Sequence, residues 1–315
     1  MPKRQSPPPP SAPDSLAALR RDVTRMLSRQ EFGSIDEVNA FLQNISGKPI
    51  DPVAPENDKE RAEDLVLAAR AERSVAKRRR LVGEALALDR DCVPAHVLFA
   101  EDASGRGEAL MHASNAVAAG KRVLAELLAE DDAFLWGDPI GRYWLLARGL
   151  LADICWQMGD RPRAIVEARE VLRLNPGDNQ GMRYGLLQWL MHAGSVAEIE
   201  QLLAAYDERS TAWLFTLALH RYRVEGPTPA ATKALRVAVA ENKFVVPMLL
   251  GAHPMPVELP DSYTSDGEDE AALYVDAALT VWIDAGFAID WAASTSRGPT
   301  APRSGRAPGK SKKRS

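Results

Sequence analysis

Two cysteines in 315 residues, Cys92 and Cys155, are too few for a disulfide framework, and they fall in separate helical patterns. A reducing compartment fits them best. Aromatic residues make up only 6% of the chain, and isoleucine and threonine are sparse, so the usual strand formers are thin. No apolar run reaches the ~18–20 residues a bilayer span needs. The richest stretch, Tyr143 to Met158, is broken by Arg148 and Asp153. The opening residues carry charge but no apolar core of a secretory signal, so a cytoplasmic protein without membrane insertion is expected. There is no P-loop, dinucleotide glycine fingerprint, nucleophile elbow or EF-hand loop, which leaves the main enzyme and calcium-site motifs without support.

What is plentiful is Ala, Leu, Glu and Arg, side chains that lose little rotamer freedom in a helix. The net charge of −4 hides an asymmetry. Residues 1–29 hold six basic residues against Asp14 and Asp22, and residues 294–315 hold seven and no acid. The 26 basic and 41 acidic residues left in 30–293 give a body near −15, a poor surface for nucleic acid.

The chain divides by composition. Residues 1–13, with Pro7 to Pro10, read as a disordered basic tail. Residues 14–58 read as two short helices and a linker. Leu16, Leu19, Val23, Met26 and Leu27 form the first apolar stripe, and Ile35, Val38, Phe41, Leu42 and Ile45 the second, behind a Ser34/Glu37 capping box. This pair is either docked on the core or loosely tethered.

Residues 59–242 are helical segments of three to five turns with short breaks, and no segment alternates like a strand. Gly159, Gly194 and Gly226 are spaced 35 and 32 residues apart, bracketing the 34-residue tetratricopeptide period. Ala164 follows Gly159 at a close helix crossing, and Pro176 stops the next helix. The expected fold is all-α: a tetratricopeptide-like α-solenoid, a right-handed superhelix of about five hairpins, with a globular helical bundle as the alternative. Residues 243–293 read as a C-terminal capping region whose helix Glu268 to Trp282 carries Ala272, Val275, Leu279 and Trp282 on one stripe. Residues 294–315 read as a disordered basic tail.

The phrases Cys92–Ala95 and Asn175–Tyr184, the stretch Val245–Ala271, the repeat spacing and the Glu268–Trp282 helix occur together. Over residues 59–292 the chain thereby resembles the tetratricopeptide-containing bacterial relatives of the "suppression of tumorigenicity seven" family. The resemblance implies an α-solenoid with no established enzymatic activity. It departs from the animal members' hydrophobic N-terminal segments and from the cysteine-rich metal module of some bacterial relatives.

Candidate chemistry is sparse. Cys92 and His96 have a metal-ligand spacing but lack further ligands nearby, so Cys92 reads as a small buried residue. His192 and His220 read as either a pH-sensitive pair or ordinary helix histidines. Asp131, Asp132 and Asp138 flank Trp136. Glu268, Asp269 and Glu270 suit the positive start of a helix. In Asn175–Tyr184, Asp178 or Asn179 is expected to cap a helix and Arg183 to tie two hairpins, with a ligand contact as the alternative. The Lys77–Arg80 run reads as a solvated or acid-paired face.

These features favour a non-catalytic scaffold that takes a partner peptide or helix on the inner surface of the repeats, with no cofactor or metal. Aligning the hairpins on their glycines puts Asp153, Gln188, His192, Trp213, Thr216, His220 and Arg223 on or near that surface, Arg183 joining them as a contact at a helix start. Trp213 is the tryptophan expected to reach the groove. The alternatives are a nucleic-acid-associated protein tethered weakly by its basic tails, and an enzyme with an unrecognised site.

Overall fold

The computed structural model describes residues 12–130, 133–260 and 262–297. Among them there is no strand, and fifteen α-helices follow one another, most with short connections and with longer ones at 46–57, 124–138 and 250–267. The expected tails lie outside the described residues at 1–11 and 298–315. Their inner edges differ from expectation: Ala12 and Pro13 already belong to the first helix, and Ser294 to Ser296 still belong to the last. The chain divides into two compact units, Met1–Gln180 and Gly181–Ser315, inside the span 59–242 that the repeat pattern joins.

In the first unit α1 spans Ala12–Ser28 and α2 Ile35–Ile45. The pairs α3/α4 (Asp58–Ala71, Val75–Leu88), α5/α6 (Val93–Glu101, Arg106–Val123) and α7/α8 (Pro139–Gln157, Arg161–Leu174) follow, each helix packing against the next within its pair. Alanine makes the seams: Ala62, Ala69, Ala85, Ala116, Ala147 and Ala164 have no exposed surface, which lets backbones approach closely. Gly120 of α6 goes further. A Cβ there would overlap the Trp144 indole of α7, whose Nε1 donates to the Val117 carbonyl at 2.8 Å.

The second unit holds α9/α10 (Met182–Ala193, Val196–Ala205) and α11/α12 (Thr211–Glu225, Pro229–Glu241), then short α13 (Val245–Leu249), α14 (Glu268–Asp284) and α15 (Ala288–Ser296). The last three helices fold back on the pairs: α14 meets α9 and α11, and α15 meets α12 and α13. Phe215 against Tyr274 (5.7 Å) and Tyr222 stacked on Trp291 (4.6 Å) are the aromatic joints.

The punctuation works as its chemistry dictates. Gly159, Gly194 and Gly226 all take positive φ (86°, 72° and 74°), a conformation an L-side chain resists, and each turns one helix into its antiparallel neighbour. Ser34 caps α2 by accepting from the Glu37 amide, while Glu37 reaches back to the Gly33 amide. Asn175–Tyr184 runs from the end of α8 into the start of α9. The residue directly before α9 is Gly181, in a left-handed conformation (φ 76°), and Asp178 three residues earlier is buried with a positive φ of 45°.

α1 reverses the expected logic of burial. Its two buried residues with described side chains are charged, Asp22 and Arg25, while Leu16 and Leu19 remain exposed. Arg25, 2% exposed, donates to the carbonyls of Val53 (2.9 Å) and Glu60 (2.6 Å) and to Asp64 of α3 (2.8 Å). Arg21 also reaches Asp64 (2.9 Å), and Arg29 reaches Glu60 (2.7 Å) and the Ala54 carbonyl (2.7 Å). Of the two arrangements the sequence allows, the first helix takes the docked one, and the segment read as a linker is sewn to it. A charge buried with several hydrogen bonds is costly to strip of its partners, about 3–5 kcal/mol for one member of a buried pair. Arg25→Met is therefore expected to release α1. Amide hydrogen exchange through residues 16–29 should accelerate at least tenfold, while α5–α8 keep their protection.

Candidate functional site

The residues expected on an inner surface prove to be mostly glue between helices. Trp213 is 3% exposed and reaches no groove; it is boxed edge-on by Tyr184 and Tyr206, each 6.1 Å away. Thr216 is buried and accepts from Gln188 at 3.0 Å, joining α9 to α11. His220 is buried 3.6 Å from Glu200, and burial lowers its pKa. Arg223 is exposed but spends a hydrogen bond on the Met191 carbonyl (2.6 Å), and His192 is half-buried. Arg183 makes the tie expected of it: it pairs with Glu208 in the α10–α11 loop at 2.6 Å, its guanidinium lying over the Tyr184 and Tyr206 rings (4.6 and 5.2 Å). Asp153 lies in the other unit, on an exposed part of α7.

Cys92, the basic run and the loop acids also serve the fold. Burial pushes the Cys92 thiol up to about 12, so it is no ready thiolate. Among the described residues no three His, Cys, Asp or Glu side chains gather with metal-ligand geometry. The Lys77–Arg80 run is acid-paired rather than free. Arg78 grips Asp102, and Arg79, together with Ser104, holds the Glu108 carboxyl down to about 2. Asp138 caps α7 through the Gly141 amide (2.6 Å); Asp131 and Asp132 lie outside the described residues.

Among the described residues, an apolar surface lies open near the C-terminal helices. Gly251, with φ of 66°, turns the chain out of α13, and Pro254, Pro256 and Pro260 deny the next stretch a helix. It runs as irregular chain over α14, and Met255, Val257 and Leu259 repeat every second residue along it, an extended-chain period. Between this segment, Met248 of α13 and one face of α14 (Val275, Asp276, Leu279, Thr280) opens a cleft of about 590 Å³. Val257 is fully exposed, and Met255, Leu259 and Leu279 keep more than a third of their surface. The sequence pattern puts Leu279 on the buried stripe, and the structure does not. Ala272, Val275 and Trp282 do bury, but Ala271, Tyr274, Ala278 and Val281 bury beside them, and Leu279 is rotated out into the cleft.

A buried polar clasp fixes that wall of the cleft. Glu270, 8% exposed, accepts from the Thr211 amide (3.1 Å), the Thr211 hydroxyl (2.8 Å) and the Asp266 amide (2.8 Å). Asn242 donates to the Thr211 hydroxyl (3.1 Å) and to the Gly267 carbonyl (2.9 Å), and its own oxygen takes the Phe244 amide (3.0 Å). Helix-dipole reasoning places Glu270 at the right end of α14 but misses this clasp.

No known family model matches the chain, and no curated protein matches it. Among the described residues no single helix is long and apolar enough to cross a membrane. The cleft is lined mainly by methionine and aliphatic side chains, with Asp276 the one carboxylate in its lining.

Two outcomes test these placements. Glu270→Ala leaves the buried Thr211 amide without its acceptor and takes from the hydroxyl the acceptor it donates to, which costs about 1–3 kcal/mol; urea unfolding of the parent and variant chains should show that loss. Asp153 is reached by solvent on one side, yet the protein around it pushes its carboxyl up to about 6 from an ordinary 3.8. Between those values the folded chain keeps a proton that the unfolded chain has lost, so stability falls as pH rises through the window. Asp153→Asn should remove that fall. Unfolding midpoints should coincide near pH 4 and favour the variant at pH 7, by about 1 kcal/mol or less because solvent screens the group.

Proposed function

We propose that this protein is a non-catalytic interaction scaffold of the tetratricopeptide-like α-solenoid class, and that the C-terminal cleft is where it takes an apolar segment of a protein partner. The observation that carries the reading is the cleft itself. A soluble fold rarely leaves Met255, Val257, Leu259 and Leu279 together in water unless something covers them. Sequential helix pairs, turned by positive-φ glycines and seamed with alanine, support the repeat class, and the resemblance of residues 59–292 to the bacterial relatives named above belongs to the same proposal. The inner faces of α9 and α11 fit a binding groove less well, because Gln188, Thr216, Trp213 and His220 are engaged in joining helices. The tethering alternative is weakened at the N-terminal end, where Arg21, Arg25 and Arg29 are already neutralised by α3 and its flank.

The test is affinity capture from the native cell with the intact chain and with a Val257→Asp/Leu279→Asp variant. Both positions are exposed, so folding and thermal unfolding should be preserved. Central apolar anchors of an interface are worth about 2 kcal/mol each, so specific partners should fall by tenfold or more. Full retention of all specific partners by the folded variant would remove the cleft from the reading.

A further inference from the structure

Resting on the cleft as a docking site, we infer that its partner is a cationic segment: two or more aliphatic or methionine anchors flanked by lysine or arginine. The inference comes from charge. Residues 251–296 contain nine Asp and Glu and no Lys or Arg. Not all of these acids are available. Glu270 is buried in its clasp, and Asp269 is turned back to the Thr264 amide at 2.7 Å. Two belong to the apolar opening: Asp276 lines it, and Glu258 lies in sequence between Val257 and Leu259, which line it. Glu268 and Asp284 are exposed at the two ends of α14, Glu268 with His253 3.4 Å away. An apolar opening edged by Asp276 and Glu258, on a segment without lysine or arginine, attracts a cation-flanked segment and repels an acidic one, and it does so over roughly the ~8–10 Å reach of charge in physiological salt.

The same pattern argues against a lipid surface as the occupant. Leu279, Ile283 and Phe287 are exposed on α14 and the turn after it, as a peripheral membrane anchor would have them. Such anchors, however, pair apolar residues with lysine or arginine to meet anionic headgroups, and this segment has the opposite sign. The basic residues that follow, from Arg297 onward, carry almost no apolar side chains, so that stretch lacks the anchors the cleft needs.

The experiment is selection of a random 16-residue phage-displayed peptide library on the full chain, with the Val257→Asp/Leu279→Asp variant used for depletion. Peptides recovered only on the parent should carry paired apolar anchors and a net positive charge. For one such peptide, fluorescence anisotropy should show binding weakened about fivefold or more between 50 and 300 mM NaCl, and about threefold or more by Asp276→Asn. Cleft-dependent peptides that are neutral or acidic would overturn the cationic partner while leaving the docking site in place. Failure to recover any cleft-dependent peptide would overturn the docking reading itself. Cosedimentation with phosphatidylcholine/phosphatidylglycerol vesicles, lost in the same variant, would assign the face to lipid and overturn both.

Discussion

Three hydrogen bonds into one buried carboxylate set the geometry on which the C-terminal surface depends. α14 has an apolar face wide enough to roll: two adjacent rows, led by Ala271/Tyr274 and Ala272/Val275, both find cover. Hydrophobic burial is nearly indifferent to a small rotation of such a helix, whereas hydrogen bonds are directional. Glu270 removes the freedom. It is bound to Thr211 at the start of α11 and to the Asp266 amide in the preceding turn, while Asn242 holds Thr211 and Gly267 from the end of α12. With α14 fixed in register, Leu279 and Asp276 face outward, and the cleft has a wall.

Charge does a comparable job at the other end, with a different consequence. α1 carries the heptad-like apolar stripe of a core helix, yet it docks through Arg25 and Asp22. Arginine suits this role because its planar guanidinium satisfies carbonyls and a carboxylate at once, as Arg25 does with Val53, Glu60 and Asp64. Salt screens the outer pairs of α1, such as Arg29 with Glu56, far more than the buried Arg25. The pairing also changes what the sequence's charge asymmetry means. Arginines that look like part of a cationic tail are internal counterions for the acids of α3.

The legible part of the fold was the part governed by local rules. The turn glycines, the Ser34 cap and the close-crossing Ala164 each depend on a few neighbouring residues, so their positions can be read from the chain. The all-helical class and the hairpin order follow from them. What was not legible depended on partners distant in sequence. Periodicity puts Trp213 on an inner helix but cannot say that Tyr184 and Tyr206 will close over it. Acids at a helix start satisfy the dipole whether or not one of them is also a buried clasp. The run at Lys77–Arg80 reads as a solvated or acid-paired face, but the sequence does not name the partners, Asp102 and Glu108, more than twenty residues away. The cleft left one trace, the alternation of Met255, Val257 and Leu259 between prolines, a short extended-chain period in a sequence dominated by helical ones.

That trace also explains why the cleft stays open. Pro254 and Pro256 have no amide hydrogen to donate, and the segment they bound joins no helix or sheet. Its remaining backbone groups must find water, so it is obliged to run along the surface. Apolar side chains on such a segment have two options: lie down on the nearest helix, or remain exposed. Met255 and Leu259 take the first only in part, and Val257 takes the second. Closing the cleft would require the segment to sink against α14 and take its backbone out of water without compensating hydrogen bonds. A partner that brings its own apolar side chains can cover the same surface without that loss.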